Sequence, residues 1–89
     1  LSLRDNQIKS IGALRTLKNL HMLNISENQI SNISVLADFG NLNKLYMFNN
    51  NISDISSLSK LENLTDIDIS NNQVDAVTPL YEMKNLKEK

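Results

Sequence analysis

The chain has 89 residues, 40% of them apolar, and its nine basic and ten acidic residues give a net charge of −1. This length suits one domain with a modest core, and the scattered charges exclude a basic surface for nucleic acid or anionic membranes. Without cysteine the chain has neither a disulfide framework nor a thiolate metal site, and no apolar run reaches the roughly 20 residues of a membrane span. We therefore expect no nucleic-acid partner and no membrane insertion in this segment.

A nine-residue pattern, LxxLxLxxN, recurs every 22 residues without insertion or deletion. It is most complete in residues 42–50 (LNKLYMFNN), and its asparagine column comprises Asn6, Asn28, Asn50 and Asn72. A fixed period in this range is typical of stacked supersecondary units. We call these units rungs 1 to 4, and each is identified by its asparagine.

Each rung is predicted to contain one short strand. In rung 3, Leu45 and Met47 point inward and Tyr46 between them points outward, which is the period-two pattern of a strand buried on one face. Stacked strands would form a narrow parallel sheet with a spacing of about 4.8 Å. The inward counterparts in the other rungs are Leu1 and Leu3, Leu23 and Ile25, and Ile67 and Ile69.

The remainder of each rung is predicted to form 3₁₀ or irregular turns on the opposite side. In rung 3, the apolar residues Ile52, Ile55, Leu58 and Leu61 recur at offsets of three, which suits a 3₁₀ turn better than an α-helix. The serine and aspartate residues between them favour turns over helix interiors. Phe39 falls in one of the core columns, whereas Tyr81 falls in a variable turn.

The asparagine column is predicted to be structural. A polar side chain inside an apolar stack is tolerated only if its donors and acceptors are paired, and the turn after each strand leaves backbone groups that an amide can satisfy. Asn6, Asn28, Asn50 and Asn72 should therefore form a ladder that links successive rungs.

The two ends of the chain look like interior parts of a repeat array. Rung 1 enters the pattern at its fourth position, and the last copy stops at Leu86, where the next strand would begin. Solenoids carry polar caps on their end rungs, and neither end has the composition of one. We expect residues 1–89 to form one repeat domain within a longer solenoid.

The 22-residue form LxxLxLxxNxIxxIxxLxxLxx resembles the leucine-rich repeats of the SDS22-like subclass, and the resemblance covers practically the whole chain. Residues 51–74 (NISDISSLSKLENLTDIDISNNQV), followed by Thr78, Pro79 and Leu80, are similar to the internalin repeats of Gram-positive bacterial surface proteins. This resemblance implies an α/β repeat fold, a right-handed solenoid with a parallel sheet on its concave side. It also implies that the concave side binds proteins.

A binding surface is expected at the outward strand positions, because the fold fixes their spacing and leaves their side chains free to vary. Tyr46 and Phe48 lie two residues apart there, and they are two of only four aromatic residues in the chain. Aromatic side chains give a large contact area at low entropic cost, so the pair is a candidate hot spot. The alternative is that both rings only cover their neighbours. The predicted protein-binding residues are Arg4, Met22, Asn24, Lys44, Tyr46, Phe48, Asp66 and Asp68.

Catalysis is disfavoured by the same pattern. Asp66 and Asp68 share the outer face at about 6.6 Å, a separation within the range of catalytic carboxylate pairs. A flat exposed sheet nevertheless offers no burial to raise the pKa of one of them, so an ion pair between Asp66 and Lys44 is the preferred interpretation. His21 has no second ligand or base nearby, and no phosphate loop, nucleophile elbow or metal cluster appears. We expect no enzymatic activity, no cofactor and no metal.

Three functions stay open at this point. The first is a bacterial surface or secreted protein that binds a partner protein through Tyr46 and Phe48, with a role in adhesion or virulence. The second is an intracellular SDS22-like adaptor or regulatory subunit, which would be cytoplasmic. The third is an architectural spacer in a larger protein, in which the aromatic residues would matter only for folding.

Overall fold

A computed structural model describes residues 1–83, 85 and 86. Three short strands form a parallel sheet in the order β1-β2-β3, and they comprise Met22–Asn24 (β1), Lys44–Tyr46 (β2) and Asp66–Asp68 (β3). Ser2 of rung 1 forms an isolated parallel bridge with Asn24. The predicted parallel sheet is therefore confirmed.

The register of the sheet follows the 22-residue period. Leu23 pairs with Leu45, and Leu45 pairs with Ile67. The backbone N–H of Ile25 donates to the carbonyl of Tyr46 at 2.9 Å, and the N–H of Met47 donates to the carbonyl of Asp68 at 2.8 Å. Residues that are 22 apart thus occupy equivalent places, and the inward and outward sides of the sheet can be found by counting.

The backbone turns sharply after each strand through one residue in the left-handed region. The φ angles there are 60° at Asp5, 58° at Glu27, 58° at Asn49 and 56° at Asn71. Asparagine and aspartate are the non-glycine residues that adopt this conformation most readily, whereas glutamate adopts it at a higher cost. Each turn delivers the chain to the next residue, which is the asparagine of the ladder.

The opposite side of the first three rungs consists of 3₁₀ turns, as predicted. They comprise Gly12–Thr16, Ser34–Asp38 and Ser56–Lys60. The side-chain oxygen of Asn32 accepts the N–H of Ser34, and that of Asp54 accepts the N–H of Ser56, both at 2.9 Å. These side chains satisfy a backbone donor that would otherwise be unpaired at the start of each turn.

Rung 4 differs, because it contains a four-residue α-helix, α1 (Thr78–Tyr81), where the earlier rungs have 3₁₀ turns. Ala76 occupies the position of Asn32 and Asp54 and has no side-chain acceptor. Pro79 lies in the first turn of α1, where its fixed φ favours a helix start and its missing N–H costs no hydrogen bond.

One apolar core runs through the rungs between the sheet and the turns. The inward residues of rungs 2 and 3 are almost completely buried, apart from the half-buried Leu20 at the start of rung 2. They include Phe39 and Met47, which replace leucine or isoleucine in their columns. In rung 4 the strand residues Ile67 and Ile69 are half-buried. Tyr81 on α1 is 65% exposed. Within the described residues, no helix has the length and apolarity needed to cross a membrane.

Candidate functional site

The outward side chains of the strands and of the residues that flank them form one continuous surface, which we call the sheet face. Because side chains alternate along a strand, residues in register form rows across the rungs. One row contains Met22, Lys44 and Asp66, and the next contains Ser2, Asn24, Tyr46 and Asp68. A third row, at the carboxyl ends of the strands, contains Arg4, Ser26, Phe48 and Ser70.

Tyr46 and Phe48 lie at the centre of the sheet face. Both side chains are half-buried, whereas Leu45 and Met47, their neighbours along the chain, are completely buried in the core. The two rings therefore keep part of their surface available on the outer side of the sheet. Their role in binding stays a prediction.

Arg4 reaches across the sheet face from rung 1 to rung 3. Its guanidinium carbon lies 5.0 Å from the centroid of the Phe48 ring, within the range of a cation–π interaction. The same guanidinium donates from Nε to Oε1 of Glu27 at 2.9 Å, and Nη2 contacts the same oxygen. The side chain of Arg4 is 51% exposed and that of Glu27 is 31% exposed.

Glu27 was not among the residues that the sequence pattern predicted for this surface. It lies at the turn position and not at a strand position, so counting outward strand residues passes over it. A feature of the sequence that could have indicated Glu27 is its length. It is the longest of the four side chains at this repeat position, which are Asp5, Glu27, Asn49 and Asn71.

Asn24 and Asp68 use their side chains to hold the turns that follow their strands. Asn24 Oδ1 accepts the N–H of Ser26 at 3.1 Å, and Asp68 Oδ1 accepts the N–H of Ser70 at 3.0 Å and its hydroxyl at 2.7 Å. Both side chains are half-buried. The carboxylate of Asp68 thus has structural hydrogen-bond partners, which does not favour an acid or base role.

The remaining predicted residues lie in the row that begins with Met22. Met22 is 38% exposed, and Lys44 is exposed beside it on β2. The Cα atoms of Lys44 and Asp66 are partners in the register, as the predicted ion pair requires. Asp66 Oδ1 also accepts the hydroxyl of Thr65 at 2.8 Å. The salt bridge that the described residues show on this surface joins Arg4 and Glu27.

The asparagine column forms a continuous set of hydrogen bonds beneath the sheet face. Asn50 Nδ2 donates to the carbonyls of Ile25 at 3.0 Å and Met47 at 3.2 Å, and its Oδ1 accepts the N–H of Ile30 at 3.0 Å. Asn28 and Asn72 repeat this arrangement one rung earlier and one rung later. Asn6, in rung 1, donates to the carbonyls of Leu3 and Arg4.

The opposite side of the solenoid offers polar grooves. One groove of about 390 Å³ lies between the second and third 3₁₀ turns, and its lining is mainly serine, with Asn32, Ile33 and Asp54. His21 is exposed, and its Nδ1 lies 3.3 Å from Oδ1 of Asn43. No group of three potential metal ligands occurs among the described residues. The sheet face combines two aromatic rings with charged side chains on neighbouring strands.

The comparisons with known proteins agree with this geometry. The profile of the family described as Leucine Rich repeats (2 copies) matches residues 1–38 and 40–82. A comparison with curated protein sequences found no significant match.

Three solved structures that match the chain come from bacteria, and they are two internalins and one leucine-rich repeat protein. An internalin of Listeria monocytogenes, InlF, has 36% identity and a TM-score of 0.89 over 97% of this chain, and the internalin InlC2 of the same species has 41% identity and a TM-score of 0.89 over 91%. A leucine-rich repeat protein of Leptospira interrogans has 28% identity and a TM-score of 0.85 over 97%.

The chain spans 26%, 36% and 23%, respectively, of the lengths of these three proteins. The predicted solenoid architecture, with its parallel sheet and 3₁₀ turns, is confirmed by these matches. The family profile covers nearly all of the sequence. The chain therefore belongs to the leucine-rich repeat family.

Proposed function

We propose that this chain is a protein-binding module that recognises its partner through the sheet face. Leucine-rich repeats generally mediate protein–protein interactions. The observation that carries the proposal here is the placement of Tyr46 and Phe48, which are half-buried on the outer side of the sheet while the residues beside them fill the core. Partly exposed aromatic rings at the centre of a surface have the properties of interface hot spots.

The charges around the two rings would orient the partner. Arg4 and Lys44 lie in rungs 1 and 3, and Asp66 and Asp68 lie in rung 4. Arg4 is paired with Glu27, so the unlike charges that flank the rings are those of Lys44 and of the two aspartates. A complementary arrangement on the partner would fix its direction. Met22 and Asn24 complete the predicted contact surface on β1.

The proposed setting is a bacterial surface or secreted protein of the internalin type, built from SDS22-like 22-residue repeats. The identities of 36% and 41% to two internalins support this setting. Because those proteins are longer than this chain, we also propose that residues 1–89 are one domain of a longer solenoid. Binding would then serve adhesion of the bacterium to another cell.

An intracellular adaptor or regulatory subunit is the second candidate. The 22-residue period of the SDS22-like subclass supports it, since that unit also occurs in cytoplasmic proteins. The same sheet face would then bind an enzyme or scaffold protein. A panel of purified extracellular receptor domains and a panel of purified cytosolic proteins, both screened with this chain, would separate the two candidates.

The test of the sheet face uses single alanine substitutions and the best binder from those panels. Tyr46→Ala and Phe48→Ala should each weaken binding by about tenfold or more, because each removes a ring at the centre of the surface. Tyr81→Ala is the matched control, since Tyr81 is exposed on α1, away from the strands. Affinity is measured by surface plasmon resonance, and folding by circular dichroism.

An equal affinity of all four proteins would move the binding site away from the sheet face. A loss with Tyr81→Ala alone would place it on the opposite side of the solenoid.

A further inference from the structure

Arg4, Glu27 and Phe48 form one cluster on the sheet face, which we call the arginine cluster. Its members come from three successive rungs, and the guanidinium of Arg4 is fixed by two different contacts. Glu27 Oε1 lies 2.9 Å from Nε at one edge, and the Phe48 ring lies 5.0 Å away on one side of the guanidinium. An arginine held in this way loses less conformational entropy on binding than a free one.

Ser26 makes the cluster possible. It lies between Arg4 and Phe48 in the same row, it is completely buried, and its hydroxyl accepts the N–H of Phe48 at 3.1 Å. Two strand spacings separate the outer rungs by about 9.6 Å, a distance that only a long side chain can cross. A small residue at the middle rung leaves the path across the sheet open.

Glu27 has the conformation that is hardest to explain by folding alone. Its φ of 58° is in the left-handed region, where rungs 3 and 4 have asparagine. Asparagine adopts this conformation more readily than glutamate. The glutamate at this position, however, has the length and charge to hold the guanidinium of the preceding rung.

The charges of the cluster indicate what kind of group it would accept. Glu27 neutralises Arg4, because its carboxylate forms a salt bridge with the guanidinium. A carboxylate of a partner would therefore meet the acidic side chain of Glu27 beside the guanidinium. A neutralised guanidinium with one open side, by contrast, can be covered by a flat neutral ring at a small desolvation cost.

We infer that the arginine cluster is a preorganised binding element that accepts an aromatic side chain of the partner on the open side of Arg4. Glu27 is its positioning residue, because it acts by holding Arg4 over Phe48. This inference assigns a partner chemistry to the proposed protein-binding face, and it depends on that proposed function.

The experiment follows the Arg4 Nε–Hε group by NMR in the wild-type chain and in Glu27→Asn. Asparagine is the native residue at this position in rungs 3 and 4, so the variant should keep the turn and have an equal or higher Tm. The Phe48 ring current that acts on Arg4 should be lost, because Arg4 is no longer held. Asp5→Asn, the corresponding change one rung earlier, is the control and should leave the ring-current shift of the Arg4 Nε–Hε group unchanged.

Two small probes then report on the partner chemistry. N-acetyl-tryptophanamide should shift the Arg4 Nε–Hε resonance of the wild-type chain, and it should bind Glu27→Asn more weakly by about threefold or more. N-acetyl-glutamate amide should produce smaller shifts at equal concentration. Stronger binding of the glutamate probe, or equal tryptophan binding by Glu27→Asn, would overturn the inference. Glu27→Gln, which keeps the length of the side chain without its charge, repeats the test if the asparagine variant fails to fold.

Failure of this inference can be distinguished from failure of the proposed function. A partner whose affinity falls with Tyr46→Ala and is unchanged by Glu27→Asn would leave the sheet face as the binding site and would exclude a role for Glu27. A partner whose affinity is unchanged by both substitutions would exclude the sheet face itself.

Discussion

Asn50 illustrates how a single polar residue stabilises an apolar stack. Its side chain is 6% exposed and links rung 3 to rung 2 through the carbonyl of Ile25 and the N–H of Ile30, both at 3.0 Å. Asn50→Ala should lower the free energy of unfolding by about 1–3 kcal/mol, because it leaves buried backbone groups without partners. Urea denaturation measures the loss.

Asn51→Ala is the control, since Asn51 is exposed and bonds to rung 2 only through its backbone N–H. Equal midpoints for the two variants would refute a structural role of the column.

At the scale of residues, the sequence predicts which side chains point inward or outward better than it predicts contacts between side chains of different rungs. The period alone identifies Leu45 as inward and Tyr46 as outward, because a parallel stack repeats the same geometry every 22 residues. The contact of Arg4 with Phe48 spans two rungs and depends on the small size of Ser26 and on one rotamer of Arg4. No periodic pattern encodes such a rotamer, so the arginine cluster emerges only from the structure.

At the scale of elements, Asp54 connects the stability of a 3₁₀ turn to pH. The pKa of its carboxyl is lowered because the carboxylate accepts the backbone N–H of Ser56 and also interacts with the Ser56 side chain. A lowered pKa in the folded state contributes stability above the pKa of the unfolded chain, and this contribution is lost as the pH falls through the folded-state pKa. The third turn should therefore weaken in acid.

The measurement compares the wild-type chain with Asp54→Asn by urea denaturation between about pH 6 and about pH 2. Asparagine is the native residue at the same position in rung 2, so it keeps the hydrogen-bond acceptor without the titratable charge. The free energy of unfolding of the wild type, relative to the variant, should decrease as the pH falls. A difference that is constant over this range would show that the charge of Asp54 does not stabilise the turn.

In the fourth turn, the 22-residue period does not predict the type of secondary structure. Apolar offsets of three predict the 3₁₀ turns of rungs 1 to 3, and rung 4 keeps the same buried position at Leu80. Its backbone is helical instead, because Ala76 lacks the side-chain acceptor of the earlier rungs and Pro79 favours a helix start. The residues at two positions therefore determine whether the turn is 3₁₀ or α-helical. The repeat position still determines which residue is buried.

At the scale of the whole molecule, stability is expected to depend on how many neighbours a rung has. Leu45 is completely buried in the central strand, between β1 and β3, whereas Ile67 is half-buried in β3, which pairs within the described residues with β2. In a solenoid each rung packs on its neighbours only, so the total stability is approximately a sum over the interfaces between rungs. A residue that contributes to two interfaces should matter more than an equivalent residue that contributes to one.

Leu45→Ala should lower the free energy of unfolding by about 2–5 kcal/mol, because it creates a cavity that borders both adjacent rungs. Ile67→Ala removes a side chain from the same column, and it should cost less because part of that side chain already contacts water. Urea denaturation of both variants at one pH measures the two losses, and the register that pairs Leu45 with Ile67 makes the comparison a matched one. Equal losses of unfolding free energy would mean that the number of neighbouring rungs does not affect the stability of a rung. Such a result would contradict the view that the total stability is a sum over the interfaces between rungs.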